Sequence, residues 1–401
     1  MRVFVPTLSN ESALLCADLK KNPERASGVE FQAIQFPGID QFDYLALDDE
    51  ALLTSYFMTP SMRRGLLESR AELRSFDYSG IVHDLTNNAP LDLAIAHLSA
   101  PDAEGWCSPG LSCDFLPLVW SRAKKRIAHI NPLLPKIPSS FKVHVSELDW
   151  LTETETPLLD FNDANIGVIE QQIGAHIAPL IADGSTLQLG IGSVPMSLAK
   201  ALSQHRKLKF HGGLLSSAVQ TLWEKGAMDR DARITTGVIL GDAQLRAFVQ
   251  QLPDLWLTDV RLTHGFDVIK SIERFTAVNS ALEIDLLGQV NSERSDGKLQ
   301  AGPGGLPAFA RGALASPNGR LIISLPSTAR KGTVSRIVPI LGNLSTCTLP
   351  RYMADTVVTE HGVAEIKNLS PNARAEALIQ IAAPEHQQAL ANAWAEMREK
   401  L

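Results

Sequence analysis

The sequence predicts an α/β fold in two domains, and three observations predict it. Short apolar runs alternate with amphipathic stretches along the chain, the pattern of parallel strands joined by helices. One such run, Leu187-Gln188-Leu189, breaks into the glycine loop Gly190-Ile191-Gly192-Ser193-Val194-Pro195 and then opens a helix from Met196 to Leu202. A short acidic segment, Thr152-Glu153-Thr154-Glu155-Thr156-Pro157, parts two alternating halves and reads as the linker between domains 1–160 and 161–401.

In the first half, Arg2–Val5 reads as a strand. Asn10-Glu11 caps a helix running to Lys21, with Pro23 just beyond it. Phe31–Phe36 is a strand ended by Pro37-Gly38, and Ser61–Ser69 is helical. Ile81–Leu85 and Leu93–Leu98 read as strands, the second running into a polar loop, Ser99–Ser108. Phe115–Lys125 reads as a helix and Arg126–Ile130 as a strand. After the linker, Ile166, Ile169, Ile173, Ile177 and Leu180 fall at spacings of three and four, which marks a helix leading to the glycine loop. Ile234–Leu240, Phe275–Asn279, Leu321–Leu325 and Val357–Val358 are the later strands, and Ala373–Leu401 is helical with a break at Pro384.

Composition narrows the function. Of the 401 residues 45% are apolar and 20% charged, as in folded enzymes and unlike disordered chains. The net charge of −7 argues against a nucleic-acid binder, which needs a basic face. No apolar run approaches the ~18 residues of a spanning helix. Met1-Arg2-Val3-Phe4-Val5-Pro6 is interrupted too early for a signal peptide. Cys16, Cys107, Cys113 and Cys347 show no zinc-like pairing and read as reduced thiols of a cytoplasmic protein.

Several groups offer chemistry. Gly190 and Gly192 let a backbone approach a bulky ligand, and the helix start beyond them suits a phosphate; a plain strand–helix turn has the same spacing. Gly302-Pro303-Gly304-Gly305 can aim amides at an anion or oxyanion, or be an ordinary turn. Glu283 and Asp285 share one face of a strand, where carboxylates are costly unless they meet a partner such as Arg294 or Arg336, or do chemistry. Ser327–Arg336 is basic and hydroxyl-rich, fit for a phosphate or for solvent. His205, His211 and His264 share no ligand face, so no metal site is expected.

Longer segments carry a resemblance. Ser99-Ala100-Pro101-Asp102-Ala103-Glu104-Gly105-Trp106-Cys107-Ser108, Asp183–Gly192, Asn279–Leu286, Gly288–Ser292, Ser335–Pro339 and Val357–Ala364 together resemble the acetyl-CoA hydrolase/transferase family over nearly the whole length. The resemblance implies two related CoA-transferase-like α/β domains with the active site between them, assembled as a homo-oligomer. It implies acyl-CoA and a carboxylate acceptor as substrates, with no permanently bound cofactor and no nucleic-acid or membrane partner. CoA is expected at Gly190, Ile191, Gly192, Ser193, Leu282, Gly302, Gly304 and Gly305, the last two beside the thioester. The family reaction runs through an enzyme glutamyl-CoA thioester.

The chain departs from that pattern. Relatives carry the attacking Glu in a segment like His-Thr-Glu-Met-x-Ser-Asp-Gly, and here His211-Gly212-Gly213-Leu214-Leu215-Ser216-Ser217-Ala218 places Gly213 at the nucleophile position. A Thr-Asn-Asp-Pro segment is replaced by Thr263-His264-Gly265-Phe266, and Gln-Val-Asp-Phe by Leu306-Pro307-Ala308-Phe309. The chain also opens at the first strand, without the helix that precedes it in relatives. The leading expectation is therefore an acyl-CoA hydrolase, or hydrolysis of a CoA-bound intermediate, without a glutamyl-CoA step. His264 or Glu283 would activate water, and amides near Gly304-Gly305 would hold the oxyanion. The alternatives are a CoA-transferase with its nucleophile relocated to Glu283, and a non-catalytic CoA-binding paralogue.

Overall fold

A seven-stranded parallel sheet is the centre of the first of two units, which comprises Met1–Asn162 with Gly213–Ser216 and Arg233–His264. The computed structural model of the protein describes residues 1–88, 90–162 and 165–400. The sheet order is 71–73, 52–55, 30–32, 2–4, 93–98, 125–130, 150–153, every pairing parallel. Strand Leu93–Leu98 is central, and Ala94, Ala96 and Leu98 are fully buried. Helices return the chain between strands: Ala13–Lys21, capped by Ser12; Pro60–Leu67, capped by Thr59 with Pro60 in its first turn; and Tyr78–Asn87. The later pieces of this unit add the parallel pair Ile234–Ile239 and Leu255–Leu257.

Three sequence expectations are corrected here. Ile81–Leu85, expected as a strand, lies in helix Tyr78–Asn87. Asp77 caps that helix by accepting Gly80 N–H at 2.9 Å, and Ile81 and Leu85, four apart, both turn into the core. The helix expected over Phe115–Lys125 spans only Leu116–Trp120, because Lys125–Ile130 pairs residue for residue with Leu93–Leu98. Thr152 and Glu153, expected in a linker, finish the edge strand Trp150–Glu153. All four residues of that strand are exposed, so its polarity imitates a linker.

The second unit is Asp163–Gly212, Ser217–Ala232 and Gly265–Leu401. Its parallel strands Thr186–Leu189, Phe275–Ser280, Arg320–Ser324 and Thr356–Thr359 lie side by side, with Gly362–Glu365 closing one side as a hairpin. Lys209 and Phe210 pair on the other side of Thr186–Leu189. The strands are apolar on both faces, as a covered parallel sheet requires: Leu187, Phe275, Ala277, Leu321, Ile322, Ile323, Val357 and Val358 have no exposure. The covering helices include Val168–Ile177, Ser193–Ala201, Leu306–Ala315, Pro371–Gln380 and Pro384–Arg398. Leu401 of the expected C-terminal helix lies outside the described residues. Val290–Asn291, Glu283–Asp285 and Ile337–Val338 form a small separate sheet in this unit. Among the described residues no helix is long and apolar enough to cross a membrane.

In the first unit, His97 and His129 stack with ring centroids 4.4 Å apart. His129 Nδ1 pairs with Ser12 Oγ at 2.8 Å, and Asn131 Nδ2 lies 3.1 Å from His97 Nε2. Burial, then the facing His129, lowers the His97 pKa to about 3, and burial lowers that of His129. Both rings are therefore neutral in the native state and charge more readily once unfolded. Their contribution is complete above the unfolded value near 6.5 and is lost as pH falls toward 3. The thermal midpoint is expected to fall across that window, and His97→Gln to flatten the fall. A variant with the wild-type acid limb would show that the pair is not its source.

Candidate active site

The second unit brings its chemistry to the carboxyl edge of its parallel strands, where such sheets place ligands. Strand Thr186–Leu189 ends at Gly190, level with Asn279 of the adjacent strand. Gly192 has φ +109°, a conformation that a side chain would strain, and it caps helix Ser193–Ala201. Among the described residues, no heavy atom beyond the adjoining residues lies within 4 Å of where a β-carbon would stand at Gly190 or Gly192. The loop thus presents open backbone at the positive end of a helix of nine residues, ready for an anion. Beneath it Asn279 Nδ2 donates to Gln188 Oε1 at 2.8 Å, a polar pair on otherwise apolar strands.

Glu283 stands just past the end of strand Phe275–Ser280. Its Oε2 accepts from Asn291 Nδ2 and Ser345 Oγ, both at 2.8 Å. Asp285, fully buried, accepts the amides of Leu287 and Gln289 and the Gln289 side chain at 2.6 Å. Asp285 therefore ties its own turn. Arg336 threads between these pieces: its N–H donates to Ser327 O at 2.8 Å, and its carbonyl accepts Ile284 N–H at 2.9 Å. The Arg336 side chain reaches the Leu282 carbonyl at 3.5 Å, while its buried Nε finds no acceptor among the described residues. Ser327 donates twice to Glu360, from N at 2.8 Å and from Oγ at 2.6 Å. Gly304, at φ +59°, and Gly305 lead into helix Leu306–Ala315. Gly190, Ile191, Gly192, Ser193, Leu282, Glu283, Gly302, Gly304 and Gly305 thus fall in one unit.

His264 belongs to the first unit, together with Gly213. It ends the short helix Val260–Thr263 and is almost fully buried. Its Nδ1 pairs with Thr263 Oγ1 at 2.8 Å, and Thr263 Oγ1 lies 3.4 Å from the Asp259 carbonyl. A β-carbon at Gly213 would stand 2.5 Å from His264 Cε1 and 2.8 Å from Nε2, so the imidazole fills the space a side chain at 213 would need. Tyr78 packs on the other side, 4.1 Å between ring centroids. Asp114 completes the group: a β-carbon at Gly237 would meet the Gly213 carbonyl at 3.1 Å and Asp114 Oδ1 at 3.4 Å. Burial, and then Asp259, pushes the Asp114 carboxyl up to about 8, so it holds its proton at neutral pH. Among the described residues no three His, Cys, Asp or Glu side chains converge as a metal site needs.

The N-terminal domain of the acetyl-CoA hydrolase/transferase family matches residues 7–160, and its C-terminal domain matches residues 241–394. The 4-hydroxybutyrate coenzyme A transferase of Clostridium kluyveri is 37% identical over 309 residues, which cover 76% of this chain and 72% of that protein. The chain belongs to the acetyl-CoA hydrolase/transferase family. Its fold is that of RipA from Yersinia pestis, with a TM-score of 0.90 and 25% identity over 99% of this chain and 94% of that one. A 4-hydroxybutyrate CoA-transferase from Porphyromonas gingivalis superimposes with a TM-score of 0.81 and 28% identity, covering 100% of this chain and 94% of that one. Membership of the acetyl-CoA hydrolase/transferase family makes CoA esters the substrates.

Sequence reasoning did not single out the Gln188–Asn279 pair, the Ser327–Glu360 pair or Asp114. Gln188 carried a usable signal: a buried polar side chain inside an apolar strand must have a partner. Asp114 carried none, because its burial depends on segments more than a hundred residues away.

Proposed function

We propose that the chain moves CoA from an acyl-CoA to a carboxylate acceptor, with Glu283 as the nucleophile. The hold on Glu283 supports this: Asn291 and Ser345 both donate to Oε2, which fixes the carboxylate and leaves Oε1 to attack. Oε1 adds to the thioester carbonyl and the C–S bond breaks, giving a mixed anhydride and CoA thiolate. The thiolate then attacks the Glu283 carbonyl carbon, releasing the donor as a carboxylate and leaving glutamyl-CoA. An acceptor carboxylate runs the same two steps in reverse, so no proton is consumed. The Gly190–Ser193 amides hold a CoA phosphate, and the amides at Gly304-Gly305 stabilise the oxyanion. The likeness to 4-hydroxybutyrate CoA-transferases favours a carboxylate over water as acceptor.

One observation favours hydrolysis as the second reading. By the resemblance Gly213 falls where relatives carry the attacking glutamate, and the His264 ring fills the space a side chain at 213 would need. A tautomer with Nδ1–H donating to Thr263 Oγ1 would put the imidazole lone pair on Nε2, as a general base for water requires.

Free-thiol release from acetyl-, butyryl- and succinyl-CoA, with and without added acetate, separates the two. Transfer predicts no thiol release, acetate-dependent formation of acetyl-CoA from butyryl- or succinyl-CoA, and inactivation by borohydride in the presence of acyl-CoA. Hydrolysis predicts thiol release without an acceptor, lost by on the order of 100-fold in His264→Gln. Binding of CoA with neither activity overturns both readings.

A further inference from the structure

We propose that a cavity beside helix Ala13–Lys21 binds a small organic cation, a primary ammonium carried on an apolar body. This site does not depend on the reading of the reaction. The cavity is about 550 Å³ and lies wholly within the first unit. That is room for a small organic molecule. One wall is the helix stripe Ala13, Cys16 and Ala17; facing walls include Phe42, Phe161 and Leu240. Glu11 supplies the polar group.

The Glu11 carboxylate is what asks for a ligand. Its Oε2 is buried and accepts no hydrogen bond among the described residues. A desolvated carboxylate oxygen without a donor is unfavourable. Phe42 N–H and Lys20 act on the Glu11 carboxyl, and the Tyr44 phenol and the Cys16 thiol lie near it, but none of them donates to Oε2. Asp40 is itself an acceptor, taking Leu8 N–H at 2.6 Å and Phe36 N–H at 2.7 Å. Gln35 spends its amide on the Phe42 carbonyl at 2.8 Å, and its own Oε1 is buried without a partner among the described residues.

Charge selects the ligand. Glu11 and Asp40 lie close enough to repel one another, and burial followed by Asp40 raises the Glu11 pKa to about 7. Asp40 is raised to about 6 by its own burial. At the rim Lys20 sits 5.4 Å from the Phe42 ring centroid, and Asp160 is taken up by Arg246 at 2.8 Å. The buried thiol of Cys16 is pushed up to about 12 and the buried Tyr44 phenol is raised, so both stay neutral. Beside Glu11 the two facing carboxyls disfavour a carboxylate or a phosphate, while Lys20 puts one positive charge at the rim. An ammonium group supplies donors to Glu11 Oε2, and Phe42 and Phe161 offer aromatic surface to its body. A metal ion would find too few ligands here, since among the described residues no other unengaged carboxylate lines the wall.

The test is calorimetric titration of the whole chain with benzylammonium chloride at pH 8, with sodium benzoate as the anionic counterpart. Saturable binding of benzylammonium is expected, with none for benzoate. Affinity should weaken about ten-fold from pH 8 to pH 6 as Glu11 takes up its proton. Glu11→Gln should weaken binding by at least about ten-fold. Ala17 is exposed on its helix, so Ala17→Trp should fill the cavity without disturbing the core and abolish binding. Absence of saturable binding, equal binding of benzoate, or wild-type affinity in Glu11→Gln overturns the proposal. If Glu11→Gln loses its cooperative melt, Ala17→Trp decides: wild-type affinity there overturns it as well.

Discussion

Glu283→Gln is expected to lower acetate-dependent CoA exchange by on the order of 10³-fold or more while leaving the thermal midpoint within about 2 °C of wild type. The amide has the same shape, and its carbonyl oxygen still accepts from Asn291 and Ser345, so the small sheet around it has no reason to loosen. What is lost is the attacking oxygen. An amide does not form the mixed anhydride, so neither glutamyl-CoA nor borohydride-sensitive inactivation should appear. Ser345→Ala separates orientation from chemistry: it removes one of the two donors and should cost on the order of ten-fold in kcat with little change in KM. Glu283→Gln retaining exchange within ten-fold of wild type would remove Glu283 as nucleophile and leave it as a structural tie for Asn291.

The same residues show why the fold was more legible than the site. Parallel strands buried on both faces must be apolar along their length, and Leu187–Leu189, Phe275–Asn279 and Leu321–Leu325 announce themselves by that alone. Ile81–Leu85 misled because five apolar-rich residues suit either period; the deciding feature was the Asp77 cap, a single side-chain contact. Trp150–Glu153 misled for the opposite reason, being an edge strand with no buried residue to mark it. The glycine loop was legible because its chemistry is local: two glycines, a strand before and a helix after. Gly213 and His264 are some fifty residues apart, and neither implies the other. Only the fold places the imidazole against the bare α-carbon, and only burial together with the nearby Asp259 keeps Asp114 protonated at neutral pH.

That contact carries the second large effect. Gly213→Glu is expected to destabilise the chain by about 3 kcal/mol, read as a drop in thermal midpoint on the order of 5–10 °C. Gly213 is not among the positive-φ glycines, so the backbone accepts a side chain there and the obstacle is space alone. The new β-carbon meets the His264 ring at 2.5 Å, and the ring cannot swing aside freely because Thr263 holds Nδ1 and Tyr78 covers its face. His264→Gly removes the obstruction. The pair Gly213→Glu with His264→Gly should therefore be more stable than the sum of its single changes, with a coupling of roughly 1–3 kcal/mol. If the two changes simply add, the imidazole is not what occupies the place of a side chain at 213. The double variant also tests the chemistry, because it puts a carboxylate where the resemblance places the family's nucleophile. Glutamyl-CoA formation that persists in it when Glu283 is also changed to Gln would mean that position 213 is within reach of the thioester, and that His264 stands in the seat of a lost glutamate.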